Sequence, residues 1–276
     1  MLARDEGRTT SRAAVLGSPV SHSLSPVIHE AGYAATGLTH WHYDRIECAE
    51  DELEALVASF GPEWAGLSVT MPLKERALAI ADAPTDIAAA IGSANTLLWR
   101  DGRLIADNTD APGMVDALAA VDVATHPHVA ILGAGGTARA ALAAAAQLEA
   151  ESVTVYARRP EAIARLEPVA DSLGLGLNAA AWHEAAASGQ ADLVVSTVPA
   201  KAAPTQIDWR TGCVLFDVIY DPWPTPLATR ATTAGCLVVD GLELLLAQGV
   251  RQFELFCGVE APTQKMRAAL HARVGR

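Results

Sequence analysis

The run Val129-Ala130-Ile131-Leu132-Gly133-Ala134-Gly135-Gly136-Thr137-Ala138-Arg139-Ala140-Ala141-Leu142 decides the fold. Its four apolar residues predict a buried strand, its closely spaced glycines a tight turn, and its alanine-rich remainder a helix. A strand that passes through glycines straight into a helix is the opening half of a βαβ unit. Upstream, strands are predicted at 13–16, 41–45 and 67–69, with helices at 26–36 and 51–60. A hairpin at 96–100 and 103–106 turns on Asp101-Gly102. Downstream, strands at 129–132, 153–157, 193–196, 214–217 and 237–239 alternate with helices at 137–150 and 161–173. Two more helices, 242–256 and 262–274, close the chain. This alternation predicts an α/β fold with mainly parallel sheets, and Asn108–Gly113 interrupts it between two series.

The totals agree with a packed molecule of two modest domains. There are 276 residues, 51% hydrophobic and 19% charged. A formal net charge of -12 argues against a nucleic-acid partner and a polybasic membrane anchor, so any anion site has to be positive locally. Cys48, Cys213, Cys236 and Cys257 are scattered, without a C-x-x-C or histidine ladder. They are read as buried reduced residues, with no metal site. The amino-terminal MLARDEGRTTSRAA has two acids and no apolar core, unlike a secretion signal, and no alanine-rich run suits a membrane span. A cytoplasmic location is expected.

Gly133, Gly135 and Ala138 fill the small positions of G-x-G-x-x-G/A, with Ala134, Gly136 and Thr137 between them. The first position allows the turn, the second a close approach to pyrophosphate, and the third the packing of helix on strand. Amide groups at the helix start then face the phosphates. The next strand, SVTVYARRP, ends in Arg158 and Arg159, with no acid before Glu161. An acid there would bind the 2′-hydroxyl of NAD, whereas arginine suits the 2′-phosphate of NADP. The cofactor is therefore read as NADP.

Four polar clusters stand in the first series: Gly17–Pro26 (GSPVSHSLSP), Ser68–Lys74 (SVTMPLK), Ser93–Thr96 (SANT) and Asp107–Asp110 (DNTD). Singly, each has a structural explanation: Ser25 as a helix cap, Lys74 as a solvated first-turn lysine, Asn95 and Asp110 as turn formers. Together with GAGGTAR, Tyr220–Leu227 (YDPWPTPL) and Gly241–Gln248 (GLELLLAQ), they resemble the shikimate dehydrogenase family in order from about Val15 to the last helices.

That resemblance implies a substrate domain over 1–110, a Rossmann-type NADP domain over 111–240, and helices over 241–276 that return to the substrate domain. It also implies reversible NADPH-dependent reduction of 3-dehydroshikimate to shikimate, on the way to chorismate and aromatic amino acids, by a monomer or homodimer. Ser23 and Ser25 match hydroxyls that hold the substrate carboxylate. Thr70, Lys74, Asn95, Asp110 and Gln248 match the group around the ring hydroxyls, and Tyr220 a tyrosine near the substrate. Gly133 to Ala138 match the phosphate turn and Arg158 the 2′-phosphate site, with Arg159 beside it. Val218 and Gly241 match backbone positions beside the nicotinamide, and Asp86 an outlying cofactor contact. Ser68 stands where the family commonly has Asn, Met71 replaces a more usual apolar residue, and Ala157-Arg158-Arg159 replaces Asn-Arg-Thr.

Ketone reduction needs a hydride at carbon and a proton at oxygen. Lys74 is the candidate acid, with Asp110 beside it as catalytic partner. Asp110 alone is the poorer candidate because a carboxyl group ordinarily has already lost its proton at neutrality. His22 is read as structural. Two alternatives are an NAD-dependent quinate/shikimate dehydrogenase, which calls for an acid near Arg158, and a non-catalytic NADP-sensing protein, which needs neither Lys74 nor Asp110.

Overall fold

The computed structural model describes residues 10–276; the reading of the amino-terminal stretch as no secretion signal lies largely outside the described residues. The chain divides into two compact units. The first holds residues up to Ala89, Ser93–Thr109 and Gly249–Arg276; the second holds Ala90–Gly92 and Asp110–Gln248.

In chain order the first unit carries β1 (Ser11–Gly17), α1 (Ser25–Thr36), β2 (Trp41–Glu47), α2 (Leu53–Ala58) and β3 (Trp64–Val69). It continues with α3 (Lys74–Ile80), β4 (Ala83–Pro84), α4 (Asp86–Ile91, whose last two residues belong to the second unit), β5 (Thr96–Arg100) and β6 (Arg103–Asp107). Its sheet has the order β2-β1-β3-β5-β6-β4. β1 pairs in parallel with β2 and β3, while β5 runs antiparallel to β3 and β6. The β5–β6 hairpin turns on Asp101 and Gly102, both at positive φ, which matches the right-handed twist of its strands. Leu16, Leu53, Leu67, Leu73 and Leu97 fill the core on one side of this sheet.

The second unit starts with α5 (Asp110–Leu118), β7 (His128–Leu132), α6 (Gly136–Gln147), β8 (Ser152–Ala157), α7 (Pro160–Ala164), α8 (Glu167–Ser172) and β9 (Leu177–Ala181). A 3₁₀ stretch, Trp182–Gln190, leads to β10 (Leu193–Ser196), β11 (Val214–Asp217), α9 (Pro226–Thr233), β12 (Leu237–Asp240) and α10 (Gly241–Cys257). α10 passes into the first unit at Gly249, followed there by α11 (Thr263–Val274). All pairings in the second sheet are parallel, in the order β12-β11-β10-β7-β8-β9. Strand order therefore reverses direction between β7 and β10. Alternation along β7 feeds two cores: Val129 and Ile131 face one side, Ala130 and Leu132 the other.

Two expectations are corrected. The helix predicted over 161–173 is two helices, α7 and α8. Pro168 lies in the first turn of α8, where its missing N–H costs nothing; within one continuous helix it would clash with the carbonyl four residues back. The break expected at Asn108–Gly113 falls between Thr109 and Asp110, and not at the Pro112-Gly113 pair. That pair sits in the first turn of α5, again where proline is tolerated, and α5 runs on to Leu118. No helix among the described residues is long and apolar enough to cross a membrane.

Candidate functional site

In the second unit, the carboxyl ends of β7, β8 and β10 meet at the point where strand order reverses, the standard location of a ligand crevice in such a sheet. Gly133 leaves β7 at φ +104°, and its amide donates to the Tyr156 carbonyl at 2.9 Å. A Cβ at Gly133 would come within 2.6 Å of Thr197 Oγ1, so the position demands glycine by both conformation and space. Gly135 precedes α6 in extended conformation, Gly136 opens the helix, and Thr137 follows in its first turn. Ala138 is fully buried against the sheet. A cavity of about 160 Å³ lies here, walled by Gly133, Ala134 and Gly135 on one side and by Val198, Pro199 and Ala202 on another; Arg158, Arg159 and Trp182 line it too. Both arginines are exposed. No acid lines the cavity; Glu161 belongs to the neighbouring groove along β9. Amides at a helix start, a glycine cradle and two guanidiniums fit a dinucleotide that ends in a phosphate.

Elsewhere in the second unit, Val218 follows β11, its amide donating to Ser196 O at 3.1 Å. Gly241 opens α10 with its amide donating to Ile219 O at 3.2 Å, and its ideal Cβ would stand 2.1 Å from the Val218 carbonyl oxygen. The two backbone positions therefore touch, and only glycine permits it. Tyr220 is half-buried; burial, and then the nearby Asp221 carboxylate, push its hydroxyl pKa up. Asp110 begins α5 and is buried. α5 meets α10 where Gly113 abuts the Gln248 backbone, and Gln248 Nε2 donates to Leu245 O at 2.7 Å.

In the first unit, five of the predicted residues gather at the carboxyl end of β1 and β3. The Thr70 amide donates to Leu16 O at 2.9 Å and the Ser18 amide to Met71 O at 3.1 Å, so the GSPVSHSLSP and TMPLK segments leave the sheet side by side. Ser23 Oγ lies 3.2 Å from Ser25 Oγ. Ser25 does not cap α1; Leu24 holds the cap position and Ser25 is the first helical residue. Lys74, half-buried, opens α3, and its carbonyl accepts from the Ala94 amide at 2.9 Å, which brings Asn95 to the same end. Asn95 is buried; its Oδ1 accepts from the Thr109 amide at 2.8 Å and its Nδ2 donates to Thr109 Oγ1 at 3.0 Å. Asp86 lies exposed in the first turn of α4, and His22 is exposed in the loop before α1.

Family models match along the chain: the shikimate dehydrogenase substrate binding domain over residues 15–97 and the shikimate 5′-dehydrogenase C-terminal domain over 241–271. Residues 106–218 match the alanine dehydrogenase/PNT C-terminal domain. The shikimate dehydrogenase (NADP(+)) of Caulobacter vibrioides is 39% identical over 266 residues, 91% of each chain. The chain belongs to the shikimate dehydrogenase family. Among solved structures, the Mycobacterium tuberculosis shikimate dehydrogenase is 44% identical at a TM-score of 0.87, covering 95% of this chain and 99% of that one. The Thermus thermophilus shikimate 5-dehydrogenase in complex with NADP(H) and shikimate is 31% identical at a TM-score of 0.81, with coverage of 95% and 99%.

Some residues of these surroundings escape sequence reasoning. Val198, Pro199 and Ala202 wall the cavity, and their signal was available: they follow the end of the next parallel strand at the reversal point. Asp217, buried at the end of β11, accepts from Thr225 Oγ1 at 2.7 Å and so ties the Tyr220–Leu227 segment to the sheet; burial raises its pKa. Among the described residues no cluster of three His, Cys, Asp or Glu could hold a metal ion.

Proposed function

We propose that the chain catalyses the reversible, NADPH-dependent reduction of 3-dehydroshikimate to shikimate in the shikimate pathway. Family membership supports the reaction, and one observation carries the cofactor: Arg158 and Arg159 line the cavity at the strand-order reversal, and no acid does. The glycine turn Gly133 to Ala138 holds the pyrophosphate, the arginines hold the 2′-phosphate, and Val218 and Gly241 flank the nicotinamide, with Asp86 an outlying contact. NADPH, when bound, supplies the hydride.

The remaining work falls to this chain's own side chains. Ser23 and Ser25 bind the carboxylate; Thr70, Asn95, Tyr220 and Gln248 orient the ring. Lys74 donates the proton to the forming alkoxide and takes it back in the oxidation, while Asp110 accepts a hydrogen bond from a substrate hydroxyl. Residues 1–110 serve as the substrate domain, 111–240 as the NADP domain, and 241–276 as helices returning to the first. The enzyme works in the cytoplasm as a monomer or homodimer, without nucleic acid or membrane. Steady-state assays with shikimate and NADP⁺, repeated with quinate and NAD⁺, test this reading. Turnover is expected with the first pair, and its absence refutes the proposal. Preference for quinate and NAD⁺ would establish the quinate/shikimate alternative.

A further inference from the structure

A chain of buried hydrogen bonds crosses the first unit beneath the candidate substrate residues. Tyr43 on β2 donates its hydroxyl proton to Ser68 Oγ at 2.6 Å, and Ser68 on β3 donates to Gln252 Oε1 at 2.6 Å. Gln252 on α10 donates through Nε2 to the Asn95 carbonyl at 3.0 Å and to Thr96 Oγ1 at 2.9 Å. Thr96 donates to Asn95 Oδ1 at 2.8 Å. Gln252 is 1% exposed and Ser68 4%.

Backbone groups set the direction of every bond in this chain. The Thr109 amide can only donate, so the Asn95 atom it meets is the oxygen. The Asn95 carbonyl can only accept, so the Gln252 atom it meets is the nitrogen, which leaves Gln252 Oε1 toward Ser68. Ser68 must then donate to Gln252, and its oxygen receives the proton of Tyr43. Thr96, receiving from Gln252, must give its own proton to Asn95. Neither amide can flip without opposing like groups inside the core, where an unmatched polar group costs far more than at the surface.

We propose that Gln252 is a positioning residue for substrate binding: it holds the Asn95 backbone carbonyl and turns the Thr96 hydroxyl so that it donates to Asn95 Oδ1, and Ser68 and Tyr43 in turn fix its own amide. This rests on the reading of Asn95 as a substrate residue. Packing alone gives no reason for the chain, since matched apolar side chains would fill the same space at similar stability. The arrangement instead holds Asn95 in place at the ring-hydroxyl end of the substrate site. Gln252 touches neither end of the ligand; it acts through Asn95.

A double-mutant cycle on full-length protein tests this. Gln252→Met keeps the length of the side chain and removes its donors and acceptor. It should lower kcat/KM for shikimate by about tenfold, mainly through KM, the loss expected when one orienting hydrogen bond disappears. Binary binding of NADP⁺ should stay within about twofold. Asn95→Ala should cost more, and the double variant should be no worse than Asn95→Ala alone, because the orientation of an absent amide cannot matter. Losses that multiply would show Gln252 to be structural only and overturn the proposal. If Gln252→Met does not fold, Ser68→Ala takes its place in the same cycle with the same expectation. Inactivity of the wild-type chain on shikimate with NADP⁺ would instead strike the functional reading itself.

Discussion

Arg158→Ala should separate the two nicotinamide cofactors. NADP⁺ differs from NAD⁺ only by its 2′-phosphate, and Arg158 and Arg159 are the two cations lining the cavity of about 160 Å³ beside the glycine turn. A charge-assisted hydrogen bond contributes roughly 1.5–3 kcal/mol, and the exposure of Arg158 places it toward the lower end of that range. At about 1.4 kcal/mol per decade, Kd for NADP⁺ should rise about 10- to 30-fold. Kd for NAD⁺ should change by less than about twofold. Replacing Arg159 as well should enlarge the loss. The wild-type preference should also shrink with added salt, because these guanidiniums face solvent on a chain of net charge -12. Isothermal titration of each cofactor, without substrate, measures this directly. Equal losses for both cofactors would show that Arg158 serves the fold, and no loss for NADP⁺ would move the phosphate site away from it.

Three further outcomes are expected. Lys74→Ala should lower kcat by roughly 10²–10⁴-fold with a modest rise in KM, and Lys74→Arg should not restore it, because guanidinium is a poor proton donor; raised KM with intact kcat would pass the acid role to Asp110. Shikimate should be strongly favoured over quinate, whose extra tertiary hydroxyl, if left without a partner, costs about 1–3 kcal/mol; similar kcat/KM values for both acids would contradict this. His29 is fully buried with neither ring nitrogen hydrogen-bonded, and burial lowers its pKa from 6.5 to about 3. The unfolded chain takes up that proton as pH falls through 6.5 and the native chain only near 3, so stability is full above 6.5 and declines below it, by about 2 kcal/mol between pH 7 and pH 5. Urea midpoints of wild type and His29→Phe at both pH values check this: the variant should lose less, and equal losses would refute it.

What could be read from the sequence, and what could not, divides by distance along the chain. β10 and β11 were located to the residue, because short apolar runs buried on both faces carry their own boundaries. The glycine turn between β7 and α6 was legible because strand, turn and helix follow one another within a few residues, and Arg158 and Arg159 line the cavity beside it. β9 was not, since Leu-Asn-Ala-Ala-Ala carries no β-branched residue and depends on pairing with β8 for its conformation. The break between α7 and α8 was legible in Pro168 but was outweighed by the helical pattern around it.

Asn95 and Gln252 show the limit most sharply. Asn95 could be singled out because its Asn-Thr motif is local, yet nothing local says which way its amide faces. The Thr109 amide fixes that by donating to Oδ1, and Gln252, whose other partner, Ser68, is 184 residues away in the chain, holds the Asn95 backbone and Thr96 around it. In α10, Gln248 belongs to a recognisable motif and Gln252 follows it by one helical turn, so the two side chains share a face. Read alone, Gln252 is one polar residue in an amphipathic helix. Only when α10 is laid against β3 and β5 does its amide find an obligatory acceptor, the Asn95 carbonyl, and acquire a direction. The residue types of a binding site are thus local information, whereas their orientation is set by partners that the fold brings in from elsewhere. A substitution such as Gln252→Met can therefore impair substrate binding while every recognisable motif stays intact.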